Sequence, residues 1–392
     1  MRGSGGSVVR FAVRIALFWL PVVVVFGLLE VGLWRAGESW PVDRVLDVQQ
    51  RQPDAIFMRG LLDQSFYAYK WQGVLRARPR VLALGSSRVL KFRRTMFGTE
   101  SGVFYNAGGL VTNVGDLEAF AERLPPEPTP QVLILGIDLW WLNPAHAPGD
   151  EFLIEDDGAW SWQGHLLALR TLLGRPSAIG PLFRPQLFPH PEGIGVIARR
   201  RGEGFRPDGS LESNLPLPQT AEGWAFVDRE KPPILRSIRR GVGFFEPAED
   251  VAAPRLERLQ RALTRLRSRG IRVIGFAPPI CSEGVRLLDT EPRQSGLWNA
   301  FRRRVAAVFA AEGLSFFDAS SPDRLGLDDR YMIDGIHAEE TFHVHLLRRM
   351  LDDPRLAALL PGTLPVLDAA LSSPKTNFWH AELAPPASPG SP

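Results

Sequence analysis

Short apolar runs recur along the chain at Val81 (VLALG), Val103 (VFYNAG), Val132 (VLILGID), Ile271 (IRVIGFAPP) and Leu314 (LSFFDAS). Each is too short for a helix and apolar at successive positions, as a strand covered on both faces must be. Between them lie stretches with helical spacing: DLEAFAERL from Asp116, APRLERLQRALTRLRSRG from Ala253 and LWNAFRRRVAAVFAAEG from Leu297. The Ala253 stretch shows the logic. Pro254 suits a first helical position, Leu256, Leu259, Leu263 and Leu266 make one stripe, and Gly270 closes the helix before the next strand. Its arginines face away from that stripe and read as a solvated outer face. Strands alternating with amphipathic helices predict an α/β domain built on a parallel sheet with both faces covered.

The pattern changes in two places. From Ile15 to Trp34 the sequence IALFWLPVVVVFGLLEVGLW is 20 residues with a single charge, Glu30, which at ~1.5 Å per residue matches a hydrocarbon core ~30 Å thick. Arg2, Arg10 and Arg14 precede it and no acid does, so the positive-inside rule keeps residues 1–14 in the cytoplasm and sends the body across. Pro21 is tolerable in such a helix. The competing reading is a cleaved signal peptide, but GLLEVGLWRAGES carries no clear A-x-A-like site. Either way, the body is expected on the periplasmic or extracellular side of an inner or cytoplasmic membrane.

Residues 35–80 read as a connector with a short helix around Leu61 to Leu75. Residues 81–380 read as the domain and 381–392, ending APPASPGSP, as a disordered tail. Within the domain, alternation fails from about 143 to 250, a region of Pro, Gly, Arg and Trp with turn signals such as RPDGS and one helix around Trp162 to Leu173. An insertion of this kind is expected to be a lid or substrate-binding subregion.

Composition adds limits. A chain of 392 residues, 45% hydrophobic, can bury one large core with insertions, or two. Its 46 basic residues against 43 acidic ones give a net charge of only +3. They are mostly scattered arginines, so there is no footprint for nucleic acid. The single cysteine, Cys281, rules out an internal disulfide framework and a cysteine-built metal site.

Chemistry enters at YMIDGIHAEETFHVHLLRRML, where Asp334 and His337 stand three apart in a loop before a helix. An aspartate there can accept the imidazole Nδ1 proton and leave Nε2 free as a general base. Ser87, just past the first strand of the domain, is the matching nucleophile, since sites of open parallel sheets gather at the carboxyl ends of strands. Taken singly each feature has an ordinary reading: a turn serine, a helix-capping aspartate, a surface histidine. Their joint occurrence on an alternating α/β pattern favours a triad. His343 and His345, two apart on a helix, point to different faces and lack a ligand spacing for metal, and no cofactor is expected. Cys281 has no base nearby in sequence and reads as a small core filler.

This arrangement resembles the SGNH/GDSL hydrolase superfamily. Gly85-Ser86-Ser87 matches its Gly-Asp-Ser block with Ser86 in place of the aspartate, Asn106-Ala107-Gly108 its Asn-x-Gly block, Gly136-Ile137-Asp138 its Gly-x-Asn-Asp block, and Asp334 with His337 its terminal Asp-x-x-His. The resemblance implies a three-layer α/β/α domain and a Ser87–His337–Asp334 triad, with the backbone N–H groups of Ser87 and Gly108 as oxyanion donors. One position departs: the family has an oxyanion-donating asparagine where this chain has Asp138, which when ionised only accepts. Arg88, Asp138 and Asn143 are further residues expected at the substrate, Arg88 against an anionic group or else ion-paired. Trp140 and Trp141 are expected as a sugar-stacking platform, or else in a core or under a lid. The anchor and the GSS block look most like envelope O-acyltransferases of the D-alanyl-transfer and alginate-acetylation type. These imply a polysaccharide or other acyl acceptor and a membrane-bound O-acyltransferase as partner. A carbohydrate esterase and a non-catalytic scaffold subunit are the alternatives.

Overall fold

A computed structural model describes residues 5–62, 66–98, 103–126, 130–146, 162–215 and 221–383. The five apolar runs form one parallel sheet of β1 (Val81–Gly85), β2 (Phe104–Gly108), β3 (Val132–Gly136), β4 (Arg272–Ala277) and β5 (Ser315–Asp318), in the order β2-β1-β3-β4-β5. The register pairs Gly85 with Gly108, Gly136 with Phe276 and Ala277 with Asp318, so the carboxyl ends of all five strands share one edge. The order reverses between β1 and β3, which leaves a crevice between two strands whose chains depart in opposite directions.

Alternation along the strands divides the core. Leu82, Leu84, Leu133, Leu135 and Val273 face a cluster with Phe120 of the helix Val114–Arg123, Leu259, Leu263 and Leu266 of Ala253–Ser268, and Phe301 and Phe309 of Pro292–Ala311. Val81, Ala83, Ile134, Ile274 and Phe276 face Phe342, Leu346, Leu347 and Met350 of Glu340–Met350 and Leu367 of Thr363–Ser372. Both faces are therefore dry, and each fully buried leucine contributes about 1.5–3 kcal/mol. The leucine stripe read from Ala253 onward is buried at Leu259, Leu263 and Leu266.

The chain divides into two compact units. One unit takes residues up to 65 with 156–207 and 212–214, and the other takes 66–155, 208–211 and everything from 215 on. Besides the helix Val42–Arg51, residues 35–80 carry Tyr67–Ala77, which lies later than the helix expected around Leu61 to Leu75 and packs in the sheet's unit through Trp71 and Val74. In the insertion, Trp162–Leu173 is helical as the spacing predicts, but so is Ala221–Arg240. Pro232 and Pro233 inside the latter argue against a helix locally. Burial of Leu235 and Ile238 in the sheet's core sustains it.

The N-terminal helix runs Gly5–Ala36, and its stretch Val8–Ala36 is long and apolar enough to span a membrane. Its C-terminal end packs within the first unit, where Leu29, Leu33 and Ala36 meet Ala168, Leu172, Leu182 and Phe188. Glu30, the one acid of the apolar run, accepts from Ser39 Oγ at 2.6 Å and pairs with His165 Nε2 at 2.8 Å. Residues 384–392 of the expected tail lie outside the described residues.

Candidate active site

β1 ends at Gly85, whose φ of +150° and close approach to Gly136 O and Val89 leave no comfortable room for a side chain. The chain then tightens into a 3-10 turn, Ser87–Val89, capped by Ser86, whose Oγ accepts from the Arg88 N–H at 3.3 Å. Of all residues from Val81 to Phe92 only Ser87 is exposed. A strand buried on both faces followed by a turn buried on its inner side presents one hydroxyl to solvent. Ser87 also heads the turn, where its N–H has no carbonyl of the turn to bond.

Asp334 and His337 reach this hydroxyl from the far end of the chain. The loop between them is closed by Ile333 N–H donating to His337 O at 2.9 Å and by a bridge of Met332 to Ala338. Asp334 Oδ1 accepts from the N–H groups of Ile336 and His337, both at 2.7 Å, and Oδ2 pairs with His337 Nδ1 at 2.8 Å. His337 Nε2 lies 2.9 Å from Ser87 Oγ. With Nδ1–H donated to the carboxylate, Nε2 carries the lone pair that accepts the serine proton. Partial burial opposes charge on Asp334, but the His337 side chain and the two backbone donors outweigh it and hold the carboxyl below its ordinary value. The three side chains named from the sequence thus come together as one hydrogen-bonded chain, Ser87 to His337 to Asp334.

Compared with protein-family models the chain matches none, and no curated protein matches it significantly. The site is therefore read from its own geometry.

The other expected residues are placed differently. The Gly108 N–H does not face Ser87 as a free donor, because Asn106 Oδ1 accepts from it at 2.8 Å. The Asn106 amide in turn donates to Val89 O at 2.8 Å and Phe92 O at 2.9 Å. Asn106 thus braces the segment that follows Ser87. Asn143 is buried, with its amide donating to Glu246 O at 2.6 Å and accepting from the Ala145 N–H at 2.9 Å, so it is a joint of the insertion and not a substrate ligand. Trp141 is buried in the core. Trp140 is 6% exposed and covered by Phe244, stacked at 4.4 Å, so neither tryptophan offers a face to a sugar.

Arg88 is not free for an anion either. Its Nη1 pairs with Asp138 Oδ1 at 2.8 Å, Nε donates to Ile336 O at 2.9 Å, Nη2 donates to Pro279 O, and the guanidinium lies 5.3 Å from the Trp140 ring. Burial pulls the Arg88 guanidinium down and the Asp138 carboxyl up from their ordinary values, while each partner opposes the shift of the other. Ser86 also favours the charged carboxylate, though no hydrogen bond of good geometry reaches Asp138 Oδ2.

Sequence reasoning missed several supports: the Asn106 side chain as a brace, the carbonyls of Pro279 and Ile336, and His343. The last is buried behind the turn, with Nδ1 2.8 Å from Glu339 O and Nε2 3.1 Å from Arg88 O. Helix Ala221–Arg240 is another, since Ile234 packs so closely on Gly335 that a Cβ there would lie 2.6 Å from it. Backbone carbonyls carry no sequence signal, and these contacts join segments far apart in the chain. Cys281 is buried, and burial pushes its thiol up to about 11, far from a nucleophile's range.

Proposed function

We propose that this chain is a serine-dependent O-acyltransferase of SGNH/GDSL type that modifies a cell-envelope or exported polysaccharide through an acyl-enzyme. The observation that carries the reading is the relay from Ser87 Oγ through His337 to Asp334, at 2.9 and 2.8 Å, with only the serine exposed along its segment. Helices on both faces of a sheet with strand order β2-β1-β3-β4-β5, and a nucleophile at its switch point, support the three-layer arrangement that the sequence blocks imply.

In the first step the Ser87 hydroxyl gives its proton to His337 Nε2 while Oγ bonds the acyl carbon of the donor. Collapse of the tetrahedral adduct breaks the bond to the leaving oxygen, which takes the proton back from His337. A sugar hydroxyl then gives its proton to His337 and attacks the acyl carbon, and the adduct collapses by breaking the Ser87 Oγ–acyl bond while Oγ takes that proton from His337. Asp334 keeps the imidazole in the tautomer that both steps need. The developing oxyanion is served by the Ser87 N–H. With Gly108 engaged by Asn106 and Asp138 an acceptor, neither of the two further positions that the blocks imply supplies a donor, and one missing donor costs about 10²–10³ in rate. A slow enzyme working on an activated or delivered acyl group suits this site. A membrane-bound O-acyltransferase is the partner that fits such delivery, and the apolar N-terminal helix supports a place beside it.

The test is incubation of the detergent-solubilised full chain with a chromogenic acetyl ester, with and without oligosaccharide. Ester cleavage that Ser87→Ala abolishes, with transfer to added sugar exceeding hydrolysis, is the expected result. Hydrolysis without transfer identifies a carbohydrate esterase. Intact ester and an unmodified Ser87 identify a scaffold subunit.

A further inference from the structure

Arg88 follows the nucleophile directly, yet it is 3% exposed and all three of its guanidinium nitrogens donate to protein acceptors. Those acceptors come from three places along the carboxyl edge of the sheet: Asp138 after β3, Pro279 after β4, and Ile336 inside the loop that carries Asp334 and His337. A planar fork with donors in fixed directions orders three acceptors at once, which a flexible ammonium cannot do. The Ile336 contact is the informative one. Ile336 also donates its N–H to Asp334 Oδ1 at 2.7 Å, so the guanidinium grips the same peptide segment that orients the carboxylate. Cys281 N–H donates to Gly335 O at 2.9 Å and ties the neighbouring peptide to the same post-β4 segment.

We infer that Arg88 and Asp138 are positioning residues, a buried pair that sets the Asp334–His337 loop at hydrogen-bonding height over Ser87. Asp138 then has a reason to be an aspartate, because its carboxylate compensates a guanidinium that water does not reach. The pair acts through His337 and touches no substrate. This inference rests on Ser87 being the nucleophile.

The experiment measures the rate at which a fluorophosphonate phosphonylates Ser87 in the full chain, with loss of fluoride, together with kcat and KM for a chromogenic ester. The variants are Asp138→Asn, Arg88→Lys and the paired Arg88→Met with Asp138→Leu. A displacement of His337 by about 1 Å is worth about 10²-fold in rate. The phosphonylation rate and kcat are therefore expected to fall by about that factor in all three variants, with KM within about two-fold. The paired variant buries no unmatched charge and carries the test even if a single variant fails to fold. KM rising while kcat holds would make Arg88 a substrate ligand and overturn the inference, as would phosphonylation at the wild-type rate in the paired variant. A wild-type chain inert to the fluorophosphonate overturns the nucleophile reading and the pair with it.

Discussion

His343 offers a quantitative test of how the Ser87 turn is supported. Its ring is fully buried between Phe92, at 4.7 Å between ring centres, and the backbone carbonyls of Glu339 and Arg88. Burial drives the imidazole down from 6.5 to about 4, against the pull of the two carbonyls and with Lys91 and Arg88 adding a smaller push in the same direction. A histidine depressed in the fold contributes stability that is complete above its unfolded value near 6.5 and is lost as pH falls toward 4, because the unfolded chain takes up the proton first. That depression is worth about 3 kcal/mol. Replacing the ring by glutamine keeps a donor for one carbonyl and removes the titration. Urea unfolding of the wild type and His343→Gln, followed from pH 7.5 to pH 4, isolates this residue, since His345 and the carboxylates titrate alike in both. The wild type should lose up to about 3 kcal/mol relative to the variant, chiefly below pH 6.5. Parallel curves would refute the reasoning. A wild type that gains on acidification would mean that the two carbonyls outweigh burial and the ring is held as imidazolium.

Two further outcomes follow from the same geometry. Asn106→Ala strands the Gly108 N–H and the Phe92 carbonyl in the core, while Val89 O keeps the Phe92 N–H at 3.3 Å; at about 1–3 kcal/mol for each of the two unpaired groups, a loss of at least about 2 kcal/mol in urea unfolding is expected, and a loss under about 1 would disprove the brace. Asp334→Asn puts an amide where His337 Nδ1 needs an acceptor and favours the wrong tautomer, so kcat on a chromogenic ester should drop by about 10⁴ with circular dichroism unchanged, and a drop under ten-fold would speak against the relay.

Much of the scaffold was legible because burial writes itself into hydrophobic periodicity. The runs at Val81, Val132 and Ile271 are apolar at every step since both faces of β1, β3 and β4 are covered, and the Ala253 stripe is the mark of a helix with one dry side. Helix Ala221–Arg240 escaped for the opposite reason. Its two prolines are a strong local signal, and only packing of Leu235 and Ile238 overrides them. Gly108 misled because a motif records a residue and its spacing but not whether an N–H is already spent. Here a side chain two residues away, Asn106, spends it.

What the chain's order of residues determined alone was the apolar span, the parallel α/β scaffold and three side chains able to relay a proton, since each depends on local pattern or on residue type. Tertiary structure alone decided what those side chains and their neighbours do. Ser87 and His337 are 250 residues apart, and Arg88 turns from solvent to three buried acceptors only because β3, β4 and the Asp334 loop meet at one edge. Hydrogen bonding and charge compensation act over a few ångströms of space. Distance along the chain carries no record of them.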